Sequence, residues 1–168
     1  MAGFTGWYSV GSTVNPQPID ETSTTLKTKL GTKIRAQHAD YGEAEFIYLK
    51  GVASTAQGDW VTFDEAYITA RTVADAKGRV GVAMSANIAN QYGWYCIYGK
   101  VPAEMKAGFA DNGLVFLSST AGHCDDAVVA GDLVEGAIGR GALDDPNTGQ
   151  AWMELNYPWV DDMDGDDN

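Results

Sequence analysis

Residues 91–101 read QYGWYCIYGKV, and the fold turns on how that stretch is taken. Successive side chains along a strand point to opposite faces, so Trp94, Cys96 and Tyr98 share one side and Tyr95 and Ile97 the other. Both sides are large and apolar. A strand open to water on one face alternates apolar with polar residues, whereas a strand covered on both faces does not. The stretch therefore predicts a covered strand, bracketed by turn glycines Gly93 and Gly99, rather than a one-sided platform for a ligand. Residues 44–50, AEFIYLK, repeat the pattern less completely: Ala44, Phe46 and Tyr48 oppose Ile47 and Leu49, with Glu45 the charged exception.

Outward from there, short runs punctuated by Gly, Asp and Asn predict strands at 32–38, 44–51, 59–63, 67–73, 79–84, 93–101, 114–118, 132–138 and 150–157. Many short strands at regular spacing in a chain with 20 glycines define an all-β fold, a compact antiparallel β-barrel or sandwich. A short helix fits only at 102–107, PAEMKA, where Pro takes a first-turn position. YGEAEFIYLKG (41–51), YGWYCIYGK (92–100) and TGQAWMELNYP (148–158) share a form, as do GDWVTFD (58–64) and GDLVEGA (131–137). The intervals are unequal, so reuse of turn and strand grammar explains them better than a duplicated half-barrel.

Residues 1–30 differ in character. The segment NPQPID (15–20) cannot continue a regular element, because each proline lacks an N–H and restricts its predecessor. Residues 1–30 are therefore expected as an extended N-terminal arm, with Phe4, Trp7, Tyr8 and Val10 near its tip, docking on its own domain or on a neighbour. Residues 31–160 form the β-rich domain. Residues 161–168, DDMDGDDN, hold five aspartates. Read as a calcium loop with Gly165 sixth, the run would begin at Val160 and lack the bidentate Glu. A solvated, disordered acidic tail is the expectation.

The formal charge is −12 and the pI about 4.3. That excludes binding nucleic acid by phosphate neutralisation, which needs clustered Lys and Arg. The nearest approach to a cluster, Lys27, Lys29, Lys33 and Arg35, suits an edge strand guarded by lysines. No run approaches the ~20 apolar residues of a membrane helix, and no basic residue precedes Lys27, so folding in a cytosol is expected. Cys96 and Cys124 lack metal or redox spacing, and Cys96 reads as a buried free thiol.

Catalytic patterns fail one by one. The histidines are His38 and His123. His123 and Cys124 are adjacent in AGHCDDAVV (121–129), where an extended chain turns them to opposite faces. A metal site of His38, Asp40, His123 and Asp125 would depend on tertiary proximity alone. There is no Gly-x-Ser-x-Gly elbow, and GRVGVAMSAN (78–87) lacks the Lys-Ser/Thr pair of a phosphate loop. Asp64 and Glu65 sit where a turn would place them. The reading is of a protein with no enzymatic activity, no cofactor and no metal.

Four stretches, GEAEFIYLKGVAS (42–54), VGVAMSANIANQYGWYCIYGKV (80–101), VVAGDLVEGAIG (128–139) and LNYPWVDD (155–162), resemble small head proteins of tailed bacteriophages, capsid decoration or cement proteins among them. The resemblance runs from about Leu30 to Asp162. It implies a compact β-rich subunit on the outside of the capsid, often a homotrimer, reinforcing the expanded, DNA-filled shell. The implied partners are the major capsid protein and further copies of the chain, with assembly in the host bacterial cytoplasm. A terminal arm often reaches the shell or a neighbour in such proteins. Phe4, Trp7, Tyr8, Val10, Trp94, Tyr95 and Tyr98 are the capsid- or subunit-binding candidates. Two other readings compete: a carbohydrate-binding β-module stacking sugars on Trp60, Trp94 and Trp152, and a small hydrolase using His123 and Cys124.

Overall fold

A computed structural model describes residues 2–10 and 15–163. All regular structure among them is β: β1 (Trp7–Ser9), β2 (Lys33–His38), β3 (Gly42–Lys50), β4 (Trp60–Phe63), β5 (Thr69–Arg71), β6 (Gly78–Ala83), β7 (Tyr92–Glu104), β8 (Leu114–Leu117), β9 (Cys124–Asp125), β10 (Leu133–Gly139) and β11 (Gln150–Val160). They form one antiparallel sheet along the path β1-β2-β3-β7-β6-β11-β10-β8-β9, with β4 and β5 attached through β6. The fold is all-β, as expected. Of the two architectures anticipated, the barrel is not realised: the sheet is not closed among the described residues.

The opening stretch lies at the centre, inside the 13-residue β7. One edge of β7 pairs with β3, from Tyr92↔Lys50 to Tyr98↔Glu45. The other pairs first with β6 at Tyr95 and Cys96, then with β11 from Tyr98↔Asn156 to Glu104↔Gln150. As the alternation required, both faces of the strand are covered from Trp94 to Ile97, whereas Tyr98, expected on the Trp94 side, is 38% exposed where the register with β3 shifts. Trp94 and Cys96 join Phe46, Tyr48, Trp60, Val82 and Met84 in the main core. Tyr95 and Ile97 join Ile47, Leu49, Val61 and Ala83 in a second, smaller one. The β4–β5 hairpin curls over that smaller core, and its far side meets β3 again through an isolated bridge, Lys50↔Ile68.

The change of partner along β7 falls between Cys96 and Tyr98, next to Gly99. Its φ is +105°, and a Cβ there would lie 2.7 Å from the Ala44 Cβ. Only glycine accepts both that backbone and that approach. Beyond it the strand continues through Pro102, opposite Trp152, where a helix was expected. Val101, Ala103 and Met105 all enter the main core, and that period-two placement outweighs a proline's preference for a first helical turn.

The arm docks on its own domain, one of the two seats anticipated for it. Residues 2–10 and 15–30 do not project; they pack on their own domain. β1 extends the sheet edge, with Trp7↔His38, Tyr8↔Gln37 and Ser9↔Ala36 in register. Phe4 and Ile19 sit in the main core. Gln17, also buried, donates from Nε2 to the Tyr92 carbonyl (3.0 Å) and accepts from the Tyr48 hydroxyl at Oε1 (2.7 Å). Its own carbonyl accepts Trp94 Nε1–H (2.8 Å). Buried polar groups of β3 and β7 need partners, and the segment supplies them. Of the expected acidic tail, residues 164–168 lie outside the described residues.

Candidate docking surface

β11 hands over from β7 to β6 between Asn156 and Trp159. Tyr157, in this gap, has φ +48°, and Asn156, Tyr157 and Trp159 all turn to solvent. The Tyr157 ring stacks on Tyr98 at 5.4 Å between centroids. Its hydroxyl donates to Glu45 Oε2 (2.9 Å), and Arg35 Nε stands 3.5 Å from the same oxygen. The hydrogen bond to that carboxylate holds the phenol's proton and raises its pKa. Tyr67, Tyr98, Tyr157 and Trp159 are each 37–40% exposed. A polar-edged aromatic surface of this kind is unusual for side chains that proteins normally bury.

A cleft of about 330 Å³ opens beside the Tyr157 ring. Its apolar wall is Ile47, Phe63 and Ile97, the outer edge of the smaller core. Its rim carries Lys33, Arg79, Tyr67 and Tyr157, with no carboxylate. Neither Lys33 nor Arg79 forms an ion pair or side-chain hydrogen bond among the described residues, whereas Arg35, Arg71, Lys77 and Arg140 all have carboxylate partners. Lys27, Lys29 and Lys50 have no ion pair among the described residues either. In a chain with 23 acidic and 11 basic residues, however, two cations lining one cleft without a carboxylate give it local positive charge, with Asp64, Glu65 and Glu45 in the neighbouring depressions. Arg79 also borders the depressions beside Trp159 and beside Ile68. On the other side of Tyr98 a shallower hollow of about 350 Å³ is lined by Tyr41, Glu43, Lys100, Glu154 and Asn156.

The seven binding candidates divide sharply. Phe4, Trp94 and Tyr95 are wholly buried and present no ring to any partner. Burial also pushes the Tyr95 phenol far up. Trp7 is half-buried between His38 and Phe46, its Nε1–H donated to the Gly3 carbonyl (3.0 Å). Tyr8 is exposed on the edge strand, and Val10 borders a small hollow with Lys33 and Arg35. Only Tyr98 belongs to the aromatic surface. The tryptophans set out for sugar stacking fare no better: Trp60 and Trp94 are fully buried and Trp152 is 5% exposed.

His38 stacks on Tyr41 at 4.3 Å near the β1 edge, while His123 Nε2 stands 3.6 Å from Glu104 Oε2. Cys124 lies beneath, buried, and burial pushes its thiol well up. His123 and Cys124 thus face apart, and no group of three or more His, Cys, Asp or Glu side chains among the described residues could hold a metal ion. Nearby, Asp59 is fully buried and accepts Arg71 Nε (2.7 Å) and the Ala56 N–H (2.8 Å). Gly122 (φ +75°) packs its backbone against that carboxylate, where a Cβ would come within 2.5 Å. Glu104 Oε1 accepts Gln150 Nε2–H (2.7 Å), and burial raises the Glu104 pKa. The cluster ties β4, β5, β7 and β11 together.

Sequence reasoning missed Arg79, Tyr67, Tyr157 and Trp159, and took Lys33 for the guard of an edge strand. The available signal was in LNYPWV, where two large rings flank a proline in a strand already supplied with core residues. No family model, no curated protein and no solved structure matches the chain.

Proposed function

We propose that the chain is a structural virion protein that binds the outer surface of a tailed-phage capsid and stabilises the expanded, DNA-filled shell. The observation that carries this reading is the exposed surface of Tyr67, Tyr98, Tyr157, Trp159 and Arg79 on a sheet braced from both sides. Tyr, Trp and Arg are the residue types that dominate protein–protein contacts, and strands hold the backbone of all of them but Tyr67, which lowers the ordering cost of binding. The sequence resemblance supplies the partner. Many copies on one shell would make modest contacts collectively firm.

The test is co-sedimentation with expanded shells of the cognate phage. Wild-type protein should pellet with shells, and the Tyr157→Ala, Trp159→Ala double variant should occupy them at least tenfold more weakly. Protein that never associates with those shells at any salt concentration refutes the reading. The hollow beside Tyr98 favours a second reading, a carbohydrate-binding module, with Tyr41 and Tyr98 replacing the buried tryptophans as stacking groups. A saturable fluorescence change on glycan titration, lost in Tyr98→Ala, would support it.

A further inference from the structure

We infer that the cleft between Lys33 and Arg79 receives the Asp125–Val129 loop of a second copy of this chain. The cleft asks for an occupant with an aliphatic body and negative charge, since its wall is Ile47, Phe63 and Ile97 and its free cations are Lys33 and Arg79. The chain itself displays that combination. Val128 is 81% exposed, more than any other large apolar side chain described, and Val129 is 45% exposed. Asp125 and Asp126, both partly buried, precede them with Ala127 between. Exposed valines alone would need no explanation; valines beside two carboxylates, matched by an apolar cleft beside two free cations, are complementary in both shape of chemistry and sign.

The loop is also held ready. Asp126 Oδ2 accepts the Ala110 N–H (2.8 Å), and Asp125 Oδ1 accepts the Asp126 N–H (2.8 Å). The Asp132 N–H closes a turn on the Val129 carbonyl (3.2 Å), and Asp132 Oδ1 is anchored by the Asp75 N–H (2.8 Å). A pre-formed loop loses little freedom on docking. Loop and cleft are different parts of the chain, so each copy can give one and receive the other, a head-to-tail contact that closes rings or extends rows. The contact does not rest on the shell reading, but it uses the Tyr67, Tyr157 and Arg79 rim that the shell reading also claims, so on one copy the cleft serves one partner at a time.

Sedimentation equilibrium on the purified chain, from micromolar to millimolar in low salt, tests it. Wild type should associate reversibly, more weakly as salt rises. Arg79→Glu and Val128→Glu, both at exposed positions, should each weaken association at least tenfold while near-UV circular dichroism stays native. Arg79→Glu combined with Asp125→Lys in one chain reverses both charges and should return association to within about threefold of wild type. A chain that is monomeric at millimolar concentration overturns the inference. So does association indifferent to Arg79→Glu or to Val128→Glu, or a reversed pair that fails to recover. Loss of shell binding with self-association intact would instead sink the capsid reading alone.

Discussion

Replacing Gln17 by alanine should cost about 3 kcal/mol of folding stability, although the residue lies in a proline-flanked segment outside every regular element. The figure comes from the partners left behind. Tyr48 is fully buried, and without Gln17 Oε1 its hydroxyl keeps only a 3.4 Å contact from the Lys27 N–H. An orphaned buried hydroxyl costs about 1–3 kcal/mol. The Tyr92 carbonyl loses Gln17 Nε2 but retains the Ser23 N–H at 3.0 Å, so it adds little. The void left by the missing amide adds about 1 kcal/mol. For a chain of this size the total lowers the melting temperature by about 6–12 °C. Urea titrations of Gln17→Ala, Tyr48→Phe and the double variant form the decisive cycle. Once Tyr48 lacks its hydroxyl, Gln17→Ala should be cheaper by about 1–2 kcal/mol. A single-variant loss under about 0.5 kcal/mol, or two additive losses, would refute the claim that this segment completes the hydrogen bonding of the central strands.

Two further outcomes can be measured on the same protein. Because burial raises the folded-state pKa of Glu104, the native state holds a proton that the unfolded state has already released. Stability from this group is thus present at low pH and lost as pH climbs from the ordinary carboxylate range through the raised value. Glu104→Gln keeps the acceptor for Gln150 and removes the charge, so the urea midpoint of the variant relative to wild type should rise as pH climbs out of the ordinary carboxylate range and level off above the raised value; a constant difference would contradict the burial argument. Cys96 and Cys124 are both fully buried, and burial raises both thiols. Ellman's reagent should therefore modify neither in native buffer within an hour and both at once in 6 M guanidinium, whereas rapid native labelling of either would show that its strand opens locally.

The parts of the fold legible in the sequence were those governed by local alternation. Residues 93–101 announced a strand covered on both faces because period-two side-chain placement needs no tertiary knowledge, and the two cores meet across that strand. The arm was illegible for the opposite reason. Nothing near Phe4 shows that Gly58 leaves room for its ring, or that Pro102 and Trp152 close over Gly3. Such seats are built from residues far along the chain. The exposed surface was hidden by chemistry rather than distance. Tyr157 and Trp159 are the same kinds of residue as the buried Tyr95 and Trp94, and only the kink at Tyr157, where β11 changes partner, turns them outward. Arg79 carried no signal either, since an isolated arginine in a strand reads as a solvated edge.

The seating of the N-terminal segment sets an order of events during synthesis. Ala2 and Gly3 leave the ribosome well before the groups that receive them: Gly3 lies against Pro102 and Trp152, and the Ala2 carbonyl accepts the Asn147 side-chain N–H (3.0 Å). At ordinary elongation rates the wait is on the order of ten seconds. Through that interval the tip of the segment lacks part of its own seat. A binding factor that holds this tip would delay the finished subunit without touching its sheet, and an impatient neighbouring chain could take the same seat by exchange.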